Sequence, residues 1–461
     1  MMNMKIKNSL KLSVLFLCLV GMQTSFAQQK KWSLRECVEY AIENNITVQQ
    51  FELDLETAEL DKSDAIGNFI PSFNANTNVG FSRGLTIDPI SNTTVSENIV
   101  TMSGGLTSQL LIFDGLRNFK QLNRAKLSAL SARYRLEGMK DDIRLSVANA
   151  YLNVLANRET LNTFRAQYRA TEQDLKRTEE LVANGVLPEG DLLEIQSTAA
   201  TQEQQIINAE NNVYIARINL AQLLQITDYE NFDVLDEGYM IPQSDILDYS
   251  AKDIFTKSLD VINNIKASEL NVELAQKDLE IAKGARYPTL GASMNYNTRY
   301  SSIDYVRDET GRPVIPLSTI PFVDQLWLND GITYGIGLNI PILNGFTVKN
   351  NIKRRRIALE RQRLQFENDK LDLEANVNQA YADVNGAFKS YEAATKTVEA
   401  RRLAYQYAKE RYDVGLMNSF DFSQAQARLD NAEAELIRSK YNYIFNLKVL
   451  EFYFGVPLDE L

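Results

Sequence analysis

The chain from residue 33 to 455 reads as one unit written twice, and this duplication constrains its fold more than any other feature. At a constant shift of 230, Gly115 meets Gly345, Arg124 meets Arg354, Ala150-Tyr151 meets Ala380-Tyr381, Gly185 meets Gly415, and Asp191 meets Asp421. The earlier part aligns at a shift of 217 (Glu52 with Glu269, Gly67 with Gly284, Pro71 with Pro288), and the 13-residue difference is a longer loop in the second copy. A repeat unit buries its apolar face against neighbouring units rather than alone.

Each copy has the order helix, strand, loop, strand, very long helix, turn, long helix. The first copy spans 28–227, with a helix over 33–67, strands over 69–83 and 102–113, a long helix over 116–183 and a returning helix over 190–226. The second spans 251–461, with a helix over 251–284, strands over 287–300 and 331–343, and helices over 346–413 and 420–454. All ten prolines lie outside the two longest helices, as an uninterrupted helix demands. At 1.5 Å per residue each would measure roughly 100 Å. Their apolar seam is narrow and steps by three and four (Val147, Ala150, Tyr151, Val154; Val377, Ala380, Tyr381, Val384), the spacing of coiled-coil packing. Residues 228–250, with Pro242 and several acids, read as a linker around the equator of the molecule.

The helices alone would suit a soluble bundle; the strands do not. In 69–83 the odd positions are apolar or small (Phe69, Phe73, Ala75, Val79, Phe81) and the even ones polar (Ser72, Asn74, Asn76, Asn78). The other three alternate in the same way, as in Met294, Tyr296 and Tyr300 against Ser293, Asn295 and Arg299, or Ile332, Tyr334, Ile336 and Leu338. Strict alternation gives one apolar and one polar face, and strands of this length suit a tilted crossing of a bilayer. The connections at 84–100 and 301–330 carry turn formers and charges (Gly84, Asp88-Pro89, Ser91-Asn92; Asp308, Glu309, Gly311-Arg312-Pro313, Pro316, Pro321) and read as exposed loops.

Residues 1–27 have the form of a secretory signal: Lys5, Lys7 and Lys11, the apolar run Leu12–Val20, and a small-residue cleavage site at Ser25-Phe26-Ala27. Its removal leaves Cys37 as the single cysteine, so no internal disulfide is expected. The formal net charge of −11 argues against nucleic acid. Histidine is absent, which excludes histidine general bases, serine–histidine–acid triads and histidine metal sites. No compact domain is visible to hold a carboxylate pair, so neither an enzyme nor a cofactor is expected. Four strands cannot close a membrane barrel, and an open edge is not tolerated in lipid. The chain must share a barrel of 8, 12 or 16 strands with other copies. A polar face rich in Asn, Ser, Thr and Gly reads as the lining of a water-filled lumen, which favours at least three chains.

The tandem strand–strand–long-helix–turn–helix units, the tip sequence Arg411-Tyr412-Asp413-Val414-Gly415-Leu416 followed by Phe420-Asp421-Phe422, and the terminal Phe454-Gly455-Val456-Pro457-Leu458 resemble the TolC-type outer-membrane efflux protein family. The resemblance covers essentially the whole mature chain. It implies a mainly α protomer with membrane β-strands, trimerising into a 12-stranded β-barrel continuous with a periplasmic α-helical barrel. It further implies a passive exit duct in the outer membrane lipid, serving a tripartite efflux pump or a type I secretion system. Its partners would be a periplasmic adaptor and an inner-membrane pump of the RND or ABC type. A pore-less periplasmic coiled-coil scaffold is the alternative, and it lacks paired amphipathic strands in each repeat.

Site residues follow from the tips. Gly185 and Gly415 match the tip glycine, whose backbone role is to end a helix in the left-handed region; with Leu416 they would meet the adaptor. Asp191 and Asp421 sit in the first turn of the returning helices, where a carboxylate satisfies free amides. Repeated three-fold, each would also make a carboxylate ring at the entrance, favouring cations. Tyr412 matches a tyrosine that holds the entrance closed, and it also suits an aromatic core position. The arginine and second aspartate of the better-known pattern are replaced by Met417 and Gln424, leaving Arg411 as the substitute cation. The run Lys353-Arg354-Arg355-Arg356 reads as a solvated helix face near the fourth strand, within reach of lipid headgroups.

Overall fold

The computed structural model describes residues 31–456 except 91, 93, 237, 239–240, 242–243, 304–305, 308–309, 311–312 and 315–319. The signal segment, Ser91, Pro242, Asp308, Glu309, Gly311, Arg312, Pro316, Pro457 and Leu458 lie outside the described residues. The elements in chain order are β1 (Lys31–Trp32), α1 (Leu34–Asn44), α2 (Ile46–Gly67), β2 (Ser72–Ile87), β3 (Thr94–Phe113), α3 (Arg117–Ala183), α4 (Glu189–Leu223) and β4 (Asp233–Val234). The second copy continues with α5 (Ala251–Val261), α6 (Asn263–Gly284), β5 (Thr289–Ser301), β6 (Val306–Arg307), β7 (Pro313–Val314), α7 (Phe322–Leu328), β8 (Gly331–Asn339), α8 (Thr347–Asp413) and α9 (Ser419–Phe454). Among the described residues no helix is long and apolar enough to cross a membrane.

The chain forms two compact units. One holds the described residues up to Gln50, Gly138–Ile262, and those from Leu373 onward; the other holds Phe51–Glu137 and Asn263–Asp372. Helices α3 and α8, of 67 residues each, contribute a stretch to both.

The second unit is built on one four-stranded sheet of order β2-β3-β5-β8, antiparallel throughout. Its register sorts the alternation into continuous rows. Asn74, Thr107, Asn295 and Thr333 lie side by side on one face, as do Asn76, Gly105, Asn297 and Gly331. Phe73, Ser108, Met294 and Tyr334 align on the other, followed by Ala75, Leu106, Tyr296 and Ile332. Among the described residues, strands β2 and β8 are the edges, with one unpaired side each. Each strand-to-helix junction after β3 and β8 uses two consecutive left-handed residues, Gly115-Leu116 and Gly345-Phe346. A Cβ on Gly115 would stand 2.3 Å from the Gly284 carbonyl oxygen, so only glycine permits that approach.

The helix expected over 33–67 is two helices. Asn45 leaves the helical region (φ −67°, ψ 123°), and its Oδ1 accepts from the Thr47 amide at 2.9 Å, opening α2. The second copy breaks likewise at Ile262 (φ −67°, ψ 117°). Ser33 with Glu36 and Ser250 with Asp253 form capping boxes at the starts of α1 and α5. The first hairpin is longer than the 84–100 loop allowed, because β2 and β3 stay paired as far as Ile87↔Thr94. Leu85 and Ile87 simply continue the alternation. In the second copy β8 ends at Asn339 rather than 343; Pro341 has no amide to donate to a ladder. The 301–330 connection contains α7, fixed by Gln325, whose Oε1 accepts from the Ser301 amide at 3.2 Å. The 228–250 segment supplies β4, which pairs in parallel with β1. Asp233 of β4 collects Lys31, Arg158 and Arg217, and the buried Tyr151 hydroxyl donates to the Leu235 carbonyl at 2.6 Å.

Candidate functional site

The two helix-to-helix turns at the ends of α3 and α8 share one backbone. In the first, the Val186 amide donates to Leu181 O at 2.8 Å and the Gly185 amide to Val182 O at 2.9 Å. In the second, Leu416 N reaches Arg411 O at 2.8 Å and Gly415 N reaches Tyr412 O at 3.0 Å. Both glycines have φ 73°. This paired bonding around a left-handed residue satisfies the last free carbonyls of each helix. Beyond the turns, α4 starts after Pro188 and α9 after Asn418, whose Oδ1 accepts from the Asp421 amide at 2.8 Å.

Side chains then tie the turns together. Asp191, in the first turn of α4, accepts from both the hydroxyl and the amide of Ser419 at the start of α9. Its carboxylate therefore caps the helix of the other copy rather than its own. Arg177 on α3 donates to the Asp413 carboxylate at 2.6 Å and to its carbonyl at 3.2 Å. The Tyr412 ring stacks on Phe422 at 4.6 Å with planes 3° apart, and Tyr405 covers Phe422 at 5.7 Å. The hydroxyls of Tyr412 and Thr178 lie 3.2 Å apart. Phe422 is 1% exposed, so Tyr412 occupies an aromatic core position while its hydroxyl crosses to α3.

Away from the turns, a buried polar layer continues between the helices. Lys409 pairs with Asp174 at 2.8 Å, Gln426 donates to Thr171 at 2.7 Å, Gln202 donates to Asp430 at 2.9 Å, and Gln167 donates to Glu433 at 3.0 Å. Burial pushes the Asp430 carboxyl up to about 6; the Gln202 hydrogen bond opposes this and the Glu433 charge adds to it. Burial likewise pushes the Tyr405 hydroxyl up to about 12, with the charges of Asp174, Asp430 and Asp413 adding to it. The Tyr412 hydroxyl is raised mainly by burial.

The structure places the sequence-derived residues as follows. Gly185, Gly415 and Leu416 form the exposed turns. Arg411 donates to Leu416 O at 3.4 Å inside its own turn. Asp421 is exposed, with its amide capped. Asp191 and Tyr412 join the interlock, while Asp421 and Arg411 take no part in it. Asp413 and Phe422 belong to the tip sequence but carry no role there, while Arg177, Thr178 and the buried acids Asp174 and Asp430 lie outside it. Phe422 was legible as an apolar residue at helical spacing; the partnerships of the others depend on which helices adjoin.

The outer membrane efflux protein family model matches residues 37–224 and 258–456, once per copy of the repeat. No curated protein matches the sequence. Solved structures with the same fold include the CmeC outer membrane channel of Campylobacter jejuni, at 16% identity and TM-score 0.77, covering 92% of this chain and 85% of that one. The outer membrane protein VceC of Vibrio cholerae aligns at 16% identity and TM-score 0.72, over 92% of this chain and 96% of that one. The MtrE outer membrane channel of Neisseria gonorrhoeae aligns at 16% and 0.70, over 92% and 89%. With two copies of one helix–strand unit, a sheet of polar and apolar rows, and a family model spanning both copies, the chain belongs to the outer membrane efflux protein family.

Proposed function

We propose that three copies of this chain close a 12-stranded barrel in the outer membrane, continued by a periplasmic helical barrel. The assembly acts as a passive exit duct for a tripartite efflux pump or a type I secretion system. An inner-membrane pump supplies the energy, and a periplasmic adaptor engages the tips around Gly185, Gly415 and Leu416. The single observation that carries this reading is the sheet itself: two sorted faces and two open edges, β2 and β8. The strands alternate in direction, so β8 of one copy can pair antiparallel with β2 of the next. Closure removes both edges from lipid, and twelve strands leave a lumen that the Asn, Thr, Ser and Gly rows would line.

At the entrance, three-fold repetition turns Asp421 and Asp191 into carboxylate rings that favour cations. Tyr412 and the Arg177–Asp413 pair hold the two hairpins of each copy together, which keeps the entrance narrow. The test is reconstitution of the purified protein in planar bilayers. A native mass of three chains, stepwise conductance and detergent-dependent extraction are expected. Extraction by salt alone and no conductance would make it a periplasmic scaffold. Asp421→Ala is expected to reduce cation block, and Tyr412→Phe to raise leak of large antibiotics; unchanged conductance, block and leak in both variants would remove the gate assignment.

A further inference from the structure

In the unit that carries the sheet, the helices stand in the same order as the strands they adjoin. Leu55 and Ala58 of α2 pack on Ala129 and Ala132 of α3. Helix α3 meets α6 through Arg124–Asp278 at 2.5 Å and Ser131–Asn271 at 3.2 Å. Leu279 and Ala282 of α6 pack on Ile352 and Leu359 of α8. The row is thus α2–α3–α6–α8, matching β2-β3-β5-β8. Its two end helices are the ones joined to the edge strands, since α2 leads into β2 and β8 leads into α8.

Both end helices carry a second apolar line on the flank facing away from the row. On α2 it is Leu53 and Leu60, each 61% exposed. On α8 it is Ile357, Leu364 and Leu371, which are 62%, 65% and 63% exposed. In each line the spacing is seven residues, one heptad. Leu53 is two residues from Leu55, and Ile357 two from Leu359, a turn of about 200° that sets the outer line opposite the inner contact. A lone surface helix needs one apolar stripe; a helix between two neighbours needs two.

The charges beside these lines are of opposite sign. Helix α2 carries six carboxylates (Glu52, Asp54, Glu56, Glu59, Asp61, Asp64) against Lys62. The stretch of α8 up to 372 carries eight cations, including Arg356, Arg363 and Lys370 next to the leucines, against four acids. Some of these have local partners: Glu59 pairs with Lys62, Arg363 with Glu360, and Lys370 with Glu367. None of them crosses to the other line.

We infer that the outer flank of α2 packs against the outer flank of α8 from a second copy of this chain. It forms an antiparallel heptad seam in which Leu53 and Leu60 interleave with Ile357, Leu364 and Leu371. Glu52 and Glu59 face the arginines Arg356 and Arg363. The seam rests on the trimeric reading above, and it gives Arg356 a partner in protein rather than in lipid, as Asp278 of its own chain already gives Arg355 at 3.5 Å. It also makes subunit choice electrostatic: the acidic flank repels another acidic flank, so head-to-tail closure is favoured over a face-to-face dimer.

The test is disulfide cross-linking in intact outer membranes, with wild type, whose Cys37 is buried, as background. Leu60→Cys is combined in turn with Ile357→Cys, Leu364→Cys or Leu371→Cys. At least one combination should move most of the chain into a dimer and trimer ladder, while Asp61→Cys with Ala358→Cys, turned away from the line, should not. All variants should conduct as wild type when reduced, which shows that they fold. A reversal of Glu52→Arg with Glu59→Arg should lose the assembly's resistance to detergent, and adding Arg356→Glu with Arg363→Glu should restore it. A native mass of three chains with no ladder from any combination overturns the seam and leaves the channel reading standing. A single-chain mass without conductance overturns that reading and the seam together. Adducts whose mass is not a multiple of this chain show that another protein covers the flank, which also overturns the seam.

Discussion

The two tips have the same backbone and different wiring. Gly185 and Gly415 adopt the same left-handed angle, and the amide bonds of Gly185 and Val186 recur at Gly415 and Leu416. Yet most of the interlocking residues differ at the equivalent positions: Tyr412 stands against Val182, Phe422 against Leu192, Asp413 against Ala183 and Asp430 against Ala200. Asp191 alone of the tip set meets an identical residue, Asp421, which is exposed. A pair that joins one copy to the other needs a donor in one and an acceptor in its partner, or a large ring in one and space in its partner. Arg177–Asp413 and Thr178–Tyr412 join non-equivalent positions, and neither member of either pair recurs in the other copy. Lys409 with Asp174 makes the point, since the equivalent positions hold Glu179 and Ala404. Duplication therefore conserves the turn, and divergence creates the contact.

The sharpest way to break this comparison is to truncate the stacked ring. Phe422→Ala should destabilise the protein by about 3–4 kcal/mol through the cavity it leaves, whereas Leu192→Ala, at a half-buried position, should cost about 1 kcal/mol. Thermal unfolding in detergent reads both, and equal shifts would refute the asymmetry.

Next in size is Asp430→Asn. Burial holds the native carboxyl at about 6, above its ordinary 3.8, so the folded state disfavours the charge. That destabilisation is fully present above pH 6 and vanishes as pH falls toward 4. The amide should thus raise stability by about 2 kcal/mol at pH 8 and leave it unchanged near pH 4. A gain independent of pH would contradict the assignment.

Where the copies agree, the variants should agree. Gly185→Ala and Gly415→Ala are each expected to cost about 1–2 kcal/mol by the same left-handed strain. Arg177→Ala comes last, at below about 1 kcal/mol, because the Asp413 pair is half exposed. Its removal should be visible in channel leak rather than in the unfolding temperature.

Much of the fold was legible because it rests on period. The strand alternation at 72–81 and 289–300 needs only a two-residue repeat to announce two faces, and the long helices need only their freedom from proline. The hairpin ends were less legible: Gly84 looked like a loop opening, but antiparallel pairing carries β2 past it to Ile87. The break at Asn45 had a local signal, an Asn two residues before Thr47, which a continuous helical pattern overrode. At the tips, Gly185 and Gly415 could be placed from the turn alone. Arg177 and Asp413 are 236 positions apart; no local spacing brings them together, and their ion pair depends on which hairpin lies beside which.

The open edges of the sheet have a genetic consequence. If a barrel exists only when three chains are present, a protomer with a damaged edge spoils every assembly it joins. In a cell making equal amounts of intact and damaged chains that mix at random, about one trimer in eight would be wholly intact. A defect at β2 or β8 would therefore be dominant, while a truncation that abolishes the chain altogether would be recessive.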